Sequence, residues 1–171
     1  MTMIIDLGTL GKTPKPIEHS FGADAIELSD GMRLVEPARF TGEVRRDEVR
    51  TEVRGHVSAK IAADCVRCLE TVEQPVEIDF DDIFIDAENE PTDDEIQVSG
   101  VDLDVSLLTE STIDLAEIVR EQLILGTDEP ILCEEDCQGL CPKCGGNRNL
   151  IDCKCEDDDV DPRWAALKNL N

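Results

Sequence analysis

The sequence predicts an α+β fold: a mainly antiparallel β-sheet, a curved meander or barrel-like, with one covering helix, a Cys-rich zinc knuckle and a short C-terminal helix. Three observations support this: two long alternating stretches with a short connection, an apolar stripe at helical spacing, and a cysteine cluster after that stripe. We divide the 171 residues into a mainly-β domain over 1–128, the zinc knuckle over 129–156, and an acidic linker with a Trp-bearing helix over 157–171.

Two alternating stretches predict a β-hairpin. Apolar and polar residues take turns from Val49 to Ile61, and residues 72–81 repeat the pattern. Cys65 and Cys68 lie between the stretches, so we centre the hairpin there, in a register that unites the apolar faces. This register predicts three charge pairs: Lys60 with Glu73, His56 with Glu77, and Arg54 with Asp79. Such pairs explain the basic strand face better than an RNA-binding patch does.

A covering helix is predicted over 112–126. The residues from Ser111 to Asp114 resemble a capping box, and Gly126 is a suitable end. The apolar stripe of this helix consists of Leu115, Ile118, Val119 and Leu123.

Shorter elements are predicted elsewhere. We expect short strands at Met3–Leu7, Ala25–Leu28 and Val98–Val105. The rest of 13–40 is rich in Pro and Gly and indicates loops, and 86–100 indicates an acidic loop.

The net charge of −24 is unevenly distributed. Residues 1–60 contain nine Lys/Arg and ten Asp/Glu, whereas residues 61–171 contain seven and thirty. The acidic half should repel nucleic acid and attract basic proteins. With four Phe, one Trp and no Tyr, the chain also offers no stacking platform for single-stranded RNA.

The eight cysteines predict bound zinc. Six of them lie within 23 residues, around a Cys141-Pro-Lys-Cys144-Gly turn that suits a tetrahedral ion. The first residues lack a secretory pattern, and no stretch has the length of a membrane span. We therefore expect a reducing cytoplasmic setting, in which structural zinc is favoured over disulfides.

Spacing leaves the zinc ligands open. The preferred set is Cys133, Cys137, Cys141 and Cys144. The alternative set is Cys141, Cys144, Cys153 and Cys155. Cys65 and Cys68 either join two C-terminal cysteines in a second four-sulfur site or form a redox pair. The redox interpretation is less favoured, because a hairpin turn lacks the helix N-terminus that lowers the pKa of a reactive thiol.

The C-terminal segment carries a candidate partner-binding pair, Trp164 and Leu167. These residues lie one turn apart in a short helix that Asp161 would cap and Pro162 would begin. Docking onto the parent domain and docking into a partner's groove both remain open.

Enzymatic patterns are weak in this sequence. His19 and His56 are its only histidines, and no catalytic triad spacing, phosphate loop or metal-hydrolase motif accompanies them. An all-cysteine zinc site is usually closed to substrate. We expect neither an enzyme nor a small-molecule substrate.

Four stretches together resemble the bacterial YceD-like family, which is linked to accumulation of large-subunit ribosomal RNA. These stretches are Cys65–Glu70, Ile113–Gln122, Cys133–Gly145 and Asp161–Leu167. The resemblance covers roughly residues 40–171, and the Trp-bearing end is most similar to high-GC Gram-positive members.

The resemblance implies a non-enzymatic role in making or stabilising the large ribosomal subunit. Because of its charge, we expect the acidic half to hold a basic large-subunit ribosomal protein or a precursor particle. Direct RNA contact stays open, with the near-neutral first half as its candidate. The alternative functions are a thiol/zinc redox sensor using Cys65 and Cys68, and a zinc-stabilised adaptor that docks through Trp164.

Overall fold

We describe the fold from a computed structural model, in which residues 3–29, 31–48, 50–87, 105–127 and 130–155 are described. The strands within these residues are β1 (Ile4–Asp6), β2 (Lys15–Phe21), β3 (Met32–Leu34), β4 (Ala38–Arg46), β5 (Arg50–Asp64), β6 (Thr71–Asp86), β7 (Val105–Leu108) and β8 (Thr112–Asp114). The helix is α1 (Leu115–Leu125), and a 3-10 turn, Leu7–Thr9, follows β1.

The strands form one large sheet and one small sheet. The large sheet has the order β2-β4-β5-β6-β7, with β3 also paired to β5, and the small sheet pairs β1 with β8. Every pair is antiparallel except β6 with β7. The predicted mainly antiparallel sheet with one helix is confirmed, whereas the strands described here form an open sheet and no closed barrel.

β5 and β6 form the predicted hairpin, in a register shifted by two residues. Lys60 lies opposite Pro75 rather than Glu73. The turn occupies Cys65–Glu70, which places the centre of the hairpin one residue further along the chain than the sequence pattern suggests. Because side chains alternate with period two, this shift leaves every residue on its predicted face.

Two of the three predicted charge pairs form in spite of the shifted register. Lys60 Nζ lies 2.7 Å from Glu73 Oε2, and the paired ammonium lowers the pKa of Glu73. His56 Nε2 lies 2.6 Å from Glu77 Oε2. Arg54 pairs with Asp81 at 2.9 Å rather than with Asp79, which instead contacts His56 Nδ1 at 2.8 Å. Three of the four basic residues on this face of β5, namely Arg54, His56 and Lys60, thus contact carboxylates of β6.

The core lies between α1 and the inner face of the large sheet. Phe40 is fully buried, and its ring covers Gly42 and Gly55, which lie opposite each other in β4 and β5. A Cβ at either glycine would collide with that ring, so both positions require glycine. The helix contributes its predicted stripe to this core, namely Leu115, Ile118, Val119 and Leu123.

The N-terminal region differs most from the prediction. Ala25–Leu28 is not a strand, although Ile26 and Leu28 are buried in the core. β2 forms where the prolines predict loops, because it is an edge strand that tolerates the missing N–H of Pro16. β1 lies within the predicted Met3–Leu7 strand. Residues 98–104 lie outside the described part, and Val105 begins β7.

The covering helix begins later than predicted. Thr112–Asp114 is a strand paired with β1, so the helix covers 115–125 rather than 112–126. Asp114 is the N-cap, and its carboxylate accepts a hydrogen bond of 2.9 Å from the N–H of Ala116. Gly126 follows the last helical residue, as predicted.

Candidate metal centres

The tip of the β5–β6 hairpin folds into a tight Cys-x-x-Cys loop that presents two sulfurs. We call a loop of this kind a knuckle. The N–H of Cys65 donates to the carbonyl of Glu70 at 2.9 Å, and the N–H of Leu69 donates to the carbonyl of Cys65 at 2.9 Å. Leu69 has a φ of 62°, in the left-handed region. These bonds close a tight loop and point Cys65 and Cys68 in one direction.

A second knuckle repeats the first one bond for bond. The N–H of Cys141 donates to the carbonyl of Gly146 at 2.9 Å, and the N–H of Gly145 donates to the carbonyl of Cys141 at 2.8 Å. Gly145 has a φ of 70° and corresponds to Leu69. The two Cys-x-x-Cys loops therefore share one backbone conformation.

The first candidate metal centre combines the hairpin knuckle with two cysteines that follow the helix. Its candidate ligands are Cys65, Cys68, Cys133 and Cys137, whose sulfurs all lie within 4.8 Å of one another. The sulfurs of Cys65 and Cys137 are 3.8 Å apart, and those of Cys68 and Cys133 are 3.5 Å apart. A tetrahedral zinc with bonds of about 2.3 Å separates its sulfurs by about 3.8 Å. We call this group centre 1.

Backbone contacts hold the C-terminal module, residues 130–155, on the hairpin tip. The N–H of Val66 donates to the carbonyl of Ile131 at 3.0 Å, and the N–H of Leu140 donates to the carbonyl of Arg67 at 3.0 Å. The Arg67 guanidinium also donates to the carbonyl of Cys137 at 3.1 Å. The tip therefore serves as the docking point of the module as well as supplying two ligands.

The second candidate metal centre is local to the module. Its candidate ligands are Cys141, Cys144, Cys153 and Cys155, again with all sulfurs within 4.8 Å of one another. The sulfurs of Cys144 and Cys153 are 3.5 Å apart. Cys141 is buried whereas Cys144 is exposed, so this group is more open to solvent than centre 1. We call it centre 2.

Hydrogen bonds prepare selected thiols to ionise. Burial opposes ionisation of Cys65, but the N–H groups of Cys68, Arg67 and Cys133 donate to its sulfur and bring its pKa down to about 6. In centre 2 the N–H groups of Cys144 and Lys143 similarly lower the pKa of Cys141 to about 6. Each knuckle thus stabilises the thiolate of its first cysteine.

Asn149 supplies an amide donor to centre 1. Its Nδ2 lies 3.2 Å from the sulfur of Cys137, and this hydrogen bond is the main cause of the lowered pKa of that thiol. The side-chain oxygen of Asn149 accepts a bond of 2.7 Å from the N–H of Gln138. The residue thereby stabilises a thiolate and the loop that carries it.

In each group, the closeness of the four sulfurs raises the pKa of one thiol the most. The sulfurs of Cys137 and Cys68, together with burial, raise the pKa of Cys133 to about 12. The sulfurs of Cys153, Cys144 and Cys141 raise the pKa of Cys155 to about 12. Four thiolates cannot share so small a space without a cation between them. Two closed four-sulfur sets fit a structural zinc ion in each.

The structure groups the cysteines differently from the preferred set of the sequence analysis. Cys133 and Cys137 belong to centre 1, and Cys141 and Cys144 belong to centre 2, so that set is divided between two places. The preferred set is wrong because the hairpin tip, and not the loop of Cys141 and Cys144, lies beside Cys133 and Cys137. The alternative set of the sequence analysis coincides with centre 2, and Cys65 and Cys68 join two C-terminal thiols, as one interpretation allowed.

Other site predictions fare differently. Trp164 and Leu167 lie outside the described residues, as does the predicted C-terminal helix. Sequence reasoning missed Arg67, because its contacts join segments that are distant in the chain. It missed Asn149 because no spacing pattern marks an amide that donates to a sulfur twelve residues away. One signal for the pairing was available: each Cys-x-x-Cys turn needs a second pair of thiols, and the sequence offers two such pairs.

The fold and the two centres define a class of protein: an open sheet with one helix, carrying a module held by two four-cysteine groups. The family model described as large ribosomal RNA subunit accumulation protein YceD matches residues 53–171. The chain belongs to this YceD family.

Several curated proteins are similar to the chain. YlbN of Bacillus subtilis, an uncharacterized protein, is 28% identical over 86% of this chain and 81% of its own length. The uncharacterized protein Rv2926c of Mycobacterium tuberculosis is 27% identical over 98% of this chain and 81% of its own length.

A chloroplast protein extends the family beyond bacteria. The large ribosomal RNA subunit accumulation protein YCED homolog 1 of Arabidopsis thaliana is 27% identical over 86% of this chain and 51% of its own length. No solved structure matches the chain. Within the described residues, no helix has the length and apolar character needed to cross a membrane.

Proposed function

We propose that this protein is a non-enzymatic factor in the biogenesis of the large ribosomal subunit. The observation that carries the proposal is the family match over residues 53–171, which includes all eight cysteines of the two centres. The family and its chloroplast member are named for accumulation of the large ribosomal RNA subunit. A cytoplasmic location in a bacterium agrees with this role.

Zinc would act here as a structural ion. Bound in either centre, it would cross-link four thiolates without a free position for substrate. The chain's own part is to preform the sulfur cages through its two knuckles and to hold them by the backbone bonds of Val66 and Leu140. Such closed centres agree with a binding factor rather than an enzyme.

The partner that the charge distribution favours is a basic large-subunit ribosomal protein, free or within a precursor particle. Residues 61–171 contain thirty Asp/Glu against seven Lys/Arg. Two cations of β5 that could face RNA, Lys60 and Arg54, are paired with carboxylates of β6. Protein recognition is therefore better supported than direct RNA contact.

Affinity capture tests this function. The tagged full-length protein would be expressed in its native cells, gently crosslinked and purified, and the bound protein and RNA identified. We expect enrichment of large-subunit proteins together with precursor ribosomal RNA. In a parallel preparation without crosslinking, the amount of this material retained should fall as the salt concentration of the washes is raised. A tagged unrelated protein of similar negative charge serves as control. Equal recovery by that control, or no large-subunit material, would refute the proposal.

A thiol/zinc sensor is a second candidate, and one observation gives it a specific form. Cys65 and Cys68 are buried, whereas Cys144 of centre 2 is exposed. A sensor would therefore release its metal from centre 2 first. Mild peroxide followed by mass spectrometry of the cysteines tests this: intact centre 2 thiols with full metal content would exclude the sensor.

A further inference from the structure

An apolar groove lies beside centre 1, outside the metal-binding cage itself. It has a volume of about 700 Å³. The apolar residues that line it are Met32, Ala63, Val66, Leu69, Pro130 and Ile131. Ser29 and Asp64 provide its polar side chains besides the ligand Cys65. So few polar groups would orient a small molecule poorly, whereas an apolar side chain of another polypeptide could enter.

Leu69 gives the groove an unusual feature. The residue is 63% exposed, and Val66 on the same turn is 61% exposed. Leu69 also adopts a φ of 62°, which is unfavourable for a residue with a side chain, while the matching position of the second knuckle is Gly145. The fold therefore places a large apolar side chain at a position that glycine would fill with less strain. Backbone strain and an exposed apolar side chain at the same residue indicate that Leu69 serves binding rather than stability.

The charge around the groove indicates what kind of segment would bind. Asp64 lines the groove and Glu70 follows Leu69, and both residues are exposed. The positive charge on the same turn, Arg67, already donates to the carbonyls of Glu135 and Cys137. Thiolate-bound zinc in centre 1 would add further negative charge behind the turn. A partner segment flanked by Lys or Arg meets favourable charge here.

We propose that this groove binds a basic polypeptide segment of a large-subunit ribosomal protein, which inserts a bulky apolar side chain against Val66 and Leu69. The inference rests on the proposed function and adds to it the place of contact and the chemistry of the recognised segment. The apolar anchor supplies affinity, and flanking Lys or Arg residues supply orientation.

A peptide array tests the groove directly. Overlapping 15-residue peptides of all large-subunit ribosomal proteins, together with residues 160–171 of this chain, would be probed with the zinc-loaded full-length protein. We expect the bound peptides to share a bulky apolar residue flanked by Lys or Arg. The combined variant Val66→Ser with Leu69→Gly should bind them about tenfold more weakly or worse, since two apolar contacts are lost.

The matched control is Leu125→Ser, which removes the apolar side chain of a residue that is 79% exposed at the end of α1. It should bind as the native protein does. Zinc content and melting temperature of each variant would be measured first. If the double variant loses metal, Leu69→Lys replaces it, since it keeps a long side chain and opposes a basic segment. Loss of peptide binding by that variant is again the expected result.

Four results would overturn the proposal. The first is unchanged peptide binding by the groove variants. The second is strongest binding of the 160–171 peptide, which would make the groove a docking site for this chain's own end. The third is concentration-dependent dimerisation abolished by the groove variants. If these variants still capture large-subunit particles as well as the native protein, the groove proposal fails while the proposed function stands.

Discussion

The two candidate metal centres each contain a knuckle of the same conformation, but they differ in where the rest of their ligands come from. Centre 1 takes Cys65 and Cys68 from the hairpin tip and its other two thiols from beyond the helix, whereas centre 2 takes all four from residues 141–155. An ion in centre 1 would therefore cross-link distant parts of the chain, and an ion in centre 2 would close a short loop. The same local motif thus serves tertiary structure in one place and local order in the other.

The difference extends to their surroundings. Three of the four thiols of centre 1 are buried, whereas centre 2 has one buried thiol and the exposed Cys144. Centre 1 also receives a side-chain donor from Asn149, which belongs to the loop between the knuckle and the last thiols of centre 2. Formation of centre 2 should therefore help to place the Asn149 donor of centre 1, so metal binding at the two centres should be coupled.

The largest expected effect is a difference in stability between two variants, each with one cysteine replaced at the equivalent position of a knuckle. Cys68→Ser and Cys144→Ser each replace the second cysteine of a knuckle. Each should remove about one zinc per chain, but Cys68→Ser should cost about 3 kcal/mol of unfolding free energy, or about 6–12 °C in melting temperature. Cys144→Ser should cost less than about 1 kcal/mol, because it leaves the module docked. Metal analysis and calorimetry measure both, and equal losses would refute the distinction.

Asn149→Ala provides a test of the link between the centres. Removing the amide donor to Cys137 should weaken zinc binding at centre 1 by about 10–100-fold and leave centre 2 unchanged. Competition with a zinc chelator gives the two affinities. Gln138→Ala is the control, because its side chain donates to the Asp136 carbonyl rather than to a sulfur. A loss confined to centre 2 would contradict the assignment of Asn149.

The order of metal loss tests the difference in exposure. In the native protein, a chelator should remove zinc from centre 2 about tenfold faster or more, because solvent reaches Cys144 while centre 1 is enclosed. Alkylation at intervals, followed by mass spectrometry, would identify which cysteines are released. Modification of Cys65 and Cys68 before the thiols of centre 2 would reverse the comparison.

The smallest expected effect concerns the left-handed residue of each knuckle. Gly145→Ala should destabilise the module by about 1 kcal/mol through backbone strain alone, since a Cβ there meets no atom within 4 Å. Leu69→Gly should instead be neutral or stabilising by up to about 1 kcal/mol, because relief of strain exceeds the added chain entropy. Chemical denaturation of both variants checks the opposite signs.

The strongest periodic patterns predicted the fold best. The alternation in β5 and β6 and the stripe of α1 are long enough that only one face of each can enter a core. The short stretches were ambiguous. Ile26 and Leu28 are buried without forming a strand, and β2 forms despite Pro16, because the neighbouring β4 determines its pairing. The helix start was misplaced because Thr112–Asp114 finds a partner strand at the other end of the chain.

The number of cysteines and their Cys-x-x-Cys spacing predicted an ion bound by sulfur. This prediction was possible because the conformation of a Cys-x-x-Cys turn depends on neighbouring residues alone. The sequence showed that each knuckle needs a second pair of thiols, but not which pair each one takes, because that choice depends on which segment docks on the hairpin tip. That docking uses the backbone carbonyls of Arg67 and Ile131, groups that every residue carries and no sequence pattern reveals.

The sequence by itself determined the family, the alternating hairpin, the helical stripe, the excess of acid and the presence of two local knuckles. Each of these depends on neighbouring residues or on composition alone. Only the tertiary structure decided the division of eight cysteines into two centres, the donor role of Asn149 and the groove beside Leu69. These features arise where separate segments of the chain meet, and contacts of that kind follow from packing of the fold rather than from spacing.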